Sequence, residues 1–352
     1  MKVLLLSRYS RLGASSRVRL LQYLPFIESK GWQIDVRPLF SDSYLMALYS
    51  GQSRGVQVVA GYWRRLMVLV HAGRYDLIWV EKEAFPFMPA FAEWLLVKVG
   101  VRYVVDYDDA LFHRYDRHRS WLIRSLLGRK IDAVMRRAAL VVAGNEYLAE
   151  RARAARARRV EIVPTVVDLT RYKVVQSDSN HPLVVGWIGS PATSRYLSAI
   201  ASVYESLAKR FDVRFVAVGV SEEDVRGLPF EVWHWSEETE VQSIQSFDIG
   251  IMPLEDSPWE YGKCGYKLIQ YMACGLPVVA SRIGVNGQIV EHGTNGFLAH
   301  DVNEWVQALD CLLKDQALRR RMGAKGRERV DAWYSLQVQA PRLEGLMREV
   351  LR

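Results

Sequence analysis

Two kinds of apolar spacing alternate along the chain. Short runs rich in β-branched residues (KVLLL, QIDVRPL, DLIWVE, RYVVDY, LVVAG and VEIVP) recur through the first half, and stretches with helical spacing separate most of them. Such runs are too short for helices and suit buried strands, so the alternation predicts βαβ units and a parallel sheet. After the polar stretch QSDSNH (176–181) the pattern resumes with PLVVGWIGS, VRFVAVGV, FEVWHW, DIGIMPL and PVVAS. This predicts a second α/β doubly wound sheet, with a boundary near 172–181 and domains over 1–175 and 176–334. From Asp301 onward the spacing is helical. A chain of 352 residues exceeds the size at which one core usually divides, which agrees with two domains.

Ligands of open α/β sheets lie at the carboxyl ends of the strands, so two such sheets facing each other would leave a cleft lined by loops of both. The most informative loop precedes GYKLIQYMACGLPVVAS (265–281). Leu268, Ile269 and Met272 fall at helical spacing, Gly275 suits a left-handed C-terminal position, and Val278 and Val279 suit a buried strand. The helix N-terminus leaves backbone N–H groups without intrahelical partners, and Lys263 and Lys267 add positive charge there, so this end reads as an anion site. A second strand-to-helix loop, WIGSPATSRYL, offers Ser190, Thr193 and Arg195 beside a helix expected to start near Ser194. Together the two loops would surround a diphosphate with donors and cations.

In the first half, SRYSRLGASSRVRLLQYLPF places Gly13 before a helix expected to begin near Arg17, with Ser15 or Ser16 as its cap. This is a phosphate or sugar loop, or an ordinary capped turn; it is not GxGxxG, so a dinucleotide site is poorly supported. The fourth run ends in VVDYDDALFHR, with carboxylates at Asp106, Asp108 and Asp109. Acids clustered at a strand end are costly unless solvated, paired or binding something, which favours a role at the site for Asp108 or Asp109. His113 reads as a surface residue. Asp-Tyr-Asp resembles a metal motif of single-domain glycosyltransferases, but two similar α/β halves are not that architecture. No Ser-His-Asp or Cys-His pairing is legible.

Cys264, Cys274 and Cys311 are an odd set without paired metal spacing, which reads as a reducing compartment with no disulfide framework and no zinc. The opening apolar run is too short for a signal peptide and reads as a first strand, and no stretch reaches the length of a transmembrane helix. The expected location is cytoplasmic, including the cytoplasmic face of the inner membrane. Residues 1–175 hold 29 Lys and Arg against 16 Asp and Glu, a balance of +13, whereas 176–352 hold 18 against 23, a balance of −5. The basic half suits an anionic partner, and a solvated arginine-rich face accounts for it equally well. GYWRRLMVLVHAG and RHRSWLIRSLLGRKIDAVMRR mix aromatic, apolar and basic residues as interfacial helices do, and as ordinary helices with one face in a core also do.

DIGIMPLEDSPWEYGKC, GYKLIQYMACGLPVVAS and GVNGQIVEHGTNGFL, with SRLGASSRVRLLQYLPFIESKGW, YDDALF, VPTVVDLTRY and GWIGSPAT, resemble GT-B glycosyltransferases of family 4, of the kind that build cell-surface polysaccharide and lipopolysaccharide. The resemblance implies two Rossmann-like domains closing over a nucleotide sugar, with the nucleotide on the second domain and a last helix (335–352) packing back on the first. It implies sugar transfer with retention, with no metal or other cofactor, to a glycan or lipid-linked acceptor. The donor-site positions it marks are Gly13, Ser190, Thr193, Arg195, Glu260, Gly262, Lys263, Cys264, Gly265, Tyr266, Lys267 and Gln270. Asp108, Asp109, Lys263 and Lys267 are the catalytic candidates. The chain departs from the family where two glutamates usually stand eight positions apart: it has Gly262 and Gln270 there, with Glu260 two residues earlier. Ser190 stands where the family has an arginine. Partners expected are the donor, the acceptor and an anionic membrane, and no nucleic acid. A nucleotide-sugar epimerase on the same architecture and a non-catalytic nucleic-acid-binding protein are the competing readings; the latter leaves the donor-like block unexplained.

Overall fold

Strands form where the β-branched runs predict them. In the computed structural model, which describes residues 1–175 and 182–352, β1 (Lys2–Leu6), β2 (Gln33–Val36), β3 (Leu77–Glu81), β4 (Tyr103–Tyr107), β5 (Leu140–Ala143) and β6 (Val160–Ile162) make one parallel sheet. Its order is β2-β1-β3-β4-β5-β6, with Val3 opposite Leu77 and Ile78 opposite Tyr103. A second parallel sheet is made by β7 (Leu183–Ile188), β8 (Val213–Val218), β9 (Phe230–Trp233), β10 (Ile249–Met252), β11 (Val278–Ser281) and β12 (Gly296–Ala299). Its order is β12-β11-β10-β7-β8-β9. The sequence pattern does not predict β12, whose four residues begin with glycine and follow a turn-rich segment.

Both orders reverse direction once. The reversal falls between β1 and β3 in the first sheet and between β7 and β10 in the second, and at such switch points adjacent loops part to leave a ligand crevice at the strands' carboxyl ends. Central strands β3, β4 and β5 are buried along their whole length, as parallel strands covered by helices on both faces must be.

The chain divides into two compact units: Met1–Thr165 with Gly262–Cys264 and Gln339–Arg352, and Val166–Tyr261 with Gly265–Val338. The division falls at 165/166, earlier than the 172–181 boundary expected, and 176–181 itself lies outside the described residues. The reason is Tyr172, whose buried ring joins the second unit's core, and Val167, whose N–H donates to the Tyr334 carbonyl while its carbonyl accepts from Leu336. Residues 339–352 belong to the first unit: the Trp32 indole N–H donates to Glu344 at 2.8 Å and the Arg102 guanidinium donates to the Val350 carbonyl.

Candidate functional site

In the first unit the loops after β1, β3 and β4 bring together a network of charged side chains. The helix after β1 runs Ala14–Arg19 with Gly13 as its N-cap, three residues earlier than expected. Ser16 does not cap it. Its hydroxyl donates to Glu81 at 2.6 Å and accepts the Tyr9 N–H at 3.1 Å. Arg19 grips Asp106 through two N–H groups at 2.9 and 3.1 Å and also donates to the Val163 carbonyl. Burial pushes the Asp106 carboxyl up to about 6 against the pull of Arg19.

Lys82, the residue after β3, is buried and holds a left-handed backbone with φ of 65°. That conformation costs a side-chain-bearing residue free energy and persists only where its surroundings enforce it. Its ammonium lies 2.7 Å from Asp108 and 3.6 Å from Asp109. Burial alone would raise the Asp108 carboxyl; Lys82 and the Ser15 hydroxyl outweigh it and take it down to about 2. Asp109 faces both Lys82 and Lys263, whose ammonium donates to it at 2.8 Å. Next along the chain, Glu83 is buried against Lys130 and accepts the Tyr115 hydroxyl. The same loop has a second left-handed residue, Phe87, whose N–H donates to Tyr115 at 3.0 Å.

Residues 262–264 belong to this unit and not, as expected, to the donor-side domain. A Cβ on Gly262 would lie 2.4 Å from the Ala110 nitrogen, so the close approach requires glycine. Asn145 donates to the Lys263 carbonyl at 2.8 Å, and the buried Cys264 thiol donates to the Asp108 carbonyl at 3.2 Å. Burial pushes that thiol up to about 12, which leaves it unreactive at neutral pH. His113 is not a surface residue: its ring lies between Asp116 (2.9 Å) and the Tyr147 hydroxyl (2.8 Å).

In the second unit the loops after β7 and β10, on either side of the switch point, carry the remaining candidates. The helix after β7 runs Pro191–Ser198, starting earlier than the Ser194 expected because Ser190 is its N-cap and Pro191 its first residue. The Thr193 hydroxyl accepts the Ser190 N–H at 3.3 Å. Arg195, 60% exposed at its side chain, reaches Glu260 at 3.1 Å. Glu260 is itself buried and accepts the hydroxyls of Tyr196 and Ser257, contacts that hold its carboxyl below the usual range despite burial. The helix Tyr266–Ala273 begins at Gly265, whose φ is 64° and where a Cβ would sit 2.2 Å from Ile289. Lys267 lies on this helix with its ammonium 5.1 Å from the centre of the Trp187 ring. Lys263 and Lys267 are thus held by different partners, in different units.

Gln270 is buried, and its side-chain amide donates to the Tyr172 hydroxyl at 2.8 Å, which in turn donates to Glu240 at 2.7 Å. The expectation that it faces a ribose meets a side chain already engaged in the core. Sequence reasoning missed Lys82, Arg19, Glu81, Glu83 and Lys130. The available signal was Glu-Lys-Glu at the end of a wholly apolar run, a place where charges are costly unless paired. Among the described residues no three His, Cys, Asp or Glu side chains gather as a metal-binding group, and no helix is long and apolar enough to cross a membrane.

Residues 182–315 match the family model described as glycosyl transferases group 1. Over 91 residues the chain is 33% identical to N-acetyl-alpha-D-glucosaminyl L-malate synthase of Bacillus anthracis, a match covering 25% of this chain and 24% of that protein. The chain therefore spans about a quarter of this curated relative's length. By structure it is similar to sucrose-phosphate synthase of Thermosynechococcus elongatus (15% identity, 99% of each chain, TM-score 0.73). It is also similar to HepE of Anabaena in complex with UDP-glucose (18% identity, 99% of this chain and 100% of that one, TM-score 0.71). The fold is that of the GT-B glycosyltransferases, and residues 182–315 are similar to the group 1 glycosyl transferases.

Proposed function

We propose that this chain, a GT-B fold with similarity to the group 1 glycosyl transferases, transfers a sugar from a nucleoside diphosphate sugar to a glycan or lipid-linked acceptor in cell-envelope synthesis, with retention of configuration. The observation that carries the reading is the placement of Ser190, Thr193, Glu260, Gly265, Tyr266 and Lys267 on the loops and helix starts that follow β7 and β10, the strands at the second sheet's switch point. The two helix starts present N–H groups that have no partner inside their own helices, and Lys267 and Arg195 add cations. A diphosphate leaving group acquires charge that such donors stabilise without reorganising. The protein supplies this compensation itself, and the proposal includes no metal or cofactor.

The first unit takes the acceptor. Asp108 is committed to Lys82, whereas Asp109, about a quarter exposed at its side chain, is the carboxylate offered to an acceptor hydroxyl, with Lys263 beside it. The acceptor is presented at an anionic membrane on the cytoplasmic side, in lipopolysaccharide or exopolysaccharide assembly of the family 4 kind.

Thermal shift with UDP-, GDP-, ADP- and dTDP-sugars tests the donor assignment, since a ligand bound only by the folded state raises stability by RT ln(1+[L]/Kd). UDP-sugars come first, because a structural neighbour was solved with UDP-glucose. Failure of every nucleotide sugar to raise the melting temperature would refute the reading. An inverted anomeric proton signal in the product would refute retention.

A further inference from the structure

In the second unit the end of β9 and the helix Glu240–Gln245 border an open hollow of about 400 Å³, a size usual for small-ligand sites. Trp233 and His234 line it from the end of β9, Ser236 and Thr239 from the turn that follows, and Gln242 and Ser243 from the helix. The strand β9 is the last of its sheet, two places beyond β7, which sets the hollow roughly 10 Å along the sheet from the loop after β7. The helix turns other residues towards the core: Ile244 joins the apolar cluster, and Glu240 accepts the Tyr172 hydroxyl and the Trp235 indole N–H. The hollow is therefore apart from the loops assigned to the donor.

Its floor and rim are fixed. Trp233 pairs with Val218 of β8, its carbonyl accepts the Gly219 N–H at 3.1 Å, and its ring centre lies 6.2 Å from that of the buried Phe247. The hydroxyls of Ser236 and Thr239 lie 3.0 Å apart, and each accepts the other residue's backbone N–H. The remaining polar groups are available. Among the described residues, the Trp233 indole N–H, the His234 imidazole, the Gln242 amide and the Ser243 hydroxyl have no hydrogen-bond partner.

No Asp, Glu, Lys or Arg lines the hollow, although 24% of the chain is charged, so an ionic ligand would find no counter-charge there. A phosphate or nucleotide is selected by cations that this lining lacks. A purely apolar ligand would desolvate the free polar groups without replacing their hydrogen bonds. A neutral sugar meets both conditions: the C–H groups on one face of a pyranose ring lie on the electron-rich face of an indole, and its hydroxyls donate and accept, as amide, hydroxyl and imidazole groups do.

We propose that this hollow is a second carbohydrate site, which takes a neutral disaccharide stretch of a glycan with one ring stacked on Trp233 and its hydroxyls on His234, Gln242 and Ser243. Its use, keeping a growing glycan on the enzyme between transfers, rests on the transferase reading, whereas sugar binding is measurable with no donor present. The test is saturation-transfer NMR of the full chain with cellobiose, maltose and N,N′-diacetylchitobiose, with and without excess UDP, and with glucuronic acid as the charged comparison. At least one neutral disaccharide should bind more tightly than about 20 mM, with no competition from UDP. Gln242→Ala with Ser243→Ala should weaken that binding at least about fivefold and leave the melting temperature unchanged, since neither side chain is buried. Trp233→Ala should abolish it, and Trp233→Phe, which keeps a ring, should retain part. Binding by none of the three disaccharides at that concentration, binding unchanged by the double variant, displacement by UDP, or tighter binding of glucuronic acid would each overturn the proposal. Failure of UDP to bind would instead count against the donor site and leave the disaccharide result standing.

Discussion

Replacing Lys82 with Met removes the cation that holds Asp108 ionised in a buried setting while keeping most of the side-chain volume. The Asp108 carboxyl is held at about 2 against an ordinary 3.8, and at roughly 1.4 kcal/mol per pKa unit this preference is worth on the order of 2 kcal/mol. Breaking a buried pair by deleting one partner costs somewhat more, about 3–5 kcal/mol, because the orphaned charge keeps its desolvation penalty. Lys82→Met is therefore expected to destabilise the first unit by about 3 kcal/mol at neutral pH. A group held below its ordinary value contributes stability that is complete above its unfolded pKa and lost as pH falls through the folded one. The gap between wild type and variant should thus close towards about pH 2 and reach its full size only above the pH at which the desolvated Asp108 of the variant ionises. Hydrogen exchange of peptides covering β3 and β4 reads this locally, and Asp108→Asn in the Lys82→Met background should recover part of the loss. If exchange from β3 and β4 is unchanged at neutral pH, or the gap does not depend on pH, the pairing does not hold Asp108 as argued.

Lys267→Ala should weaken nucleoside diphosphate binding far more than nucleoside binding, since only the former carries the charge; calorimetry with UDP and uridine giving equal losses would remove Lys267 from the diphosphate. Gln270→Ala removes the amide that donates to the buried Tyr172 hydroxyl at 2.8 Å, so the melting transition should fall by the equivalent of about 1–3 kcal/mol; an unchanged transition would return Gln270 to a ligand-facing role. Asp109→Asn should lower kcat with little change in donor affinity if Asp109 serves the acceptor, and wild-type turnover would leave it a structural partner of Lys263.

Eleven of the twelve strands are legible in the sequence because a buried parallel strand needs only a short apolar run, which is a local property. Helix starts are less legible. Ala14 and Pro191 begin their helices three residues before the expected positions, since Gly13 and Ser190 serve as N-caps. The catalytic candidates show the same divide. Asp108 and Asp109 are visible as clustered acids, but Lys82 becomes meaningful only once β3 and β4 lie side by side, 26 positions apart in the chain. Gln270 was readable as a helix residue and not as a core residue, because helical spacing names a face and leaves open whether the opposite face is also covered. Every residue from Leu268 to Ala273 is buried.

The first unit is assembled from three separate pieces of chain, and its last piece supplies Glu344 to an indole 312 residues upstream. At a ribosome adding about 5–20 residues per second, Trp32 emerges roughly 15–60 seconds before its partner exists. Throughout that interval the first unit lacks residues 339–352, while the second unit, complete by Val338, is free to fold. Synthesis thus finishes the middle of the chain before its beginning, and a nascent-chain chaperone would find its longest-lived binding surface around Trp32.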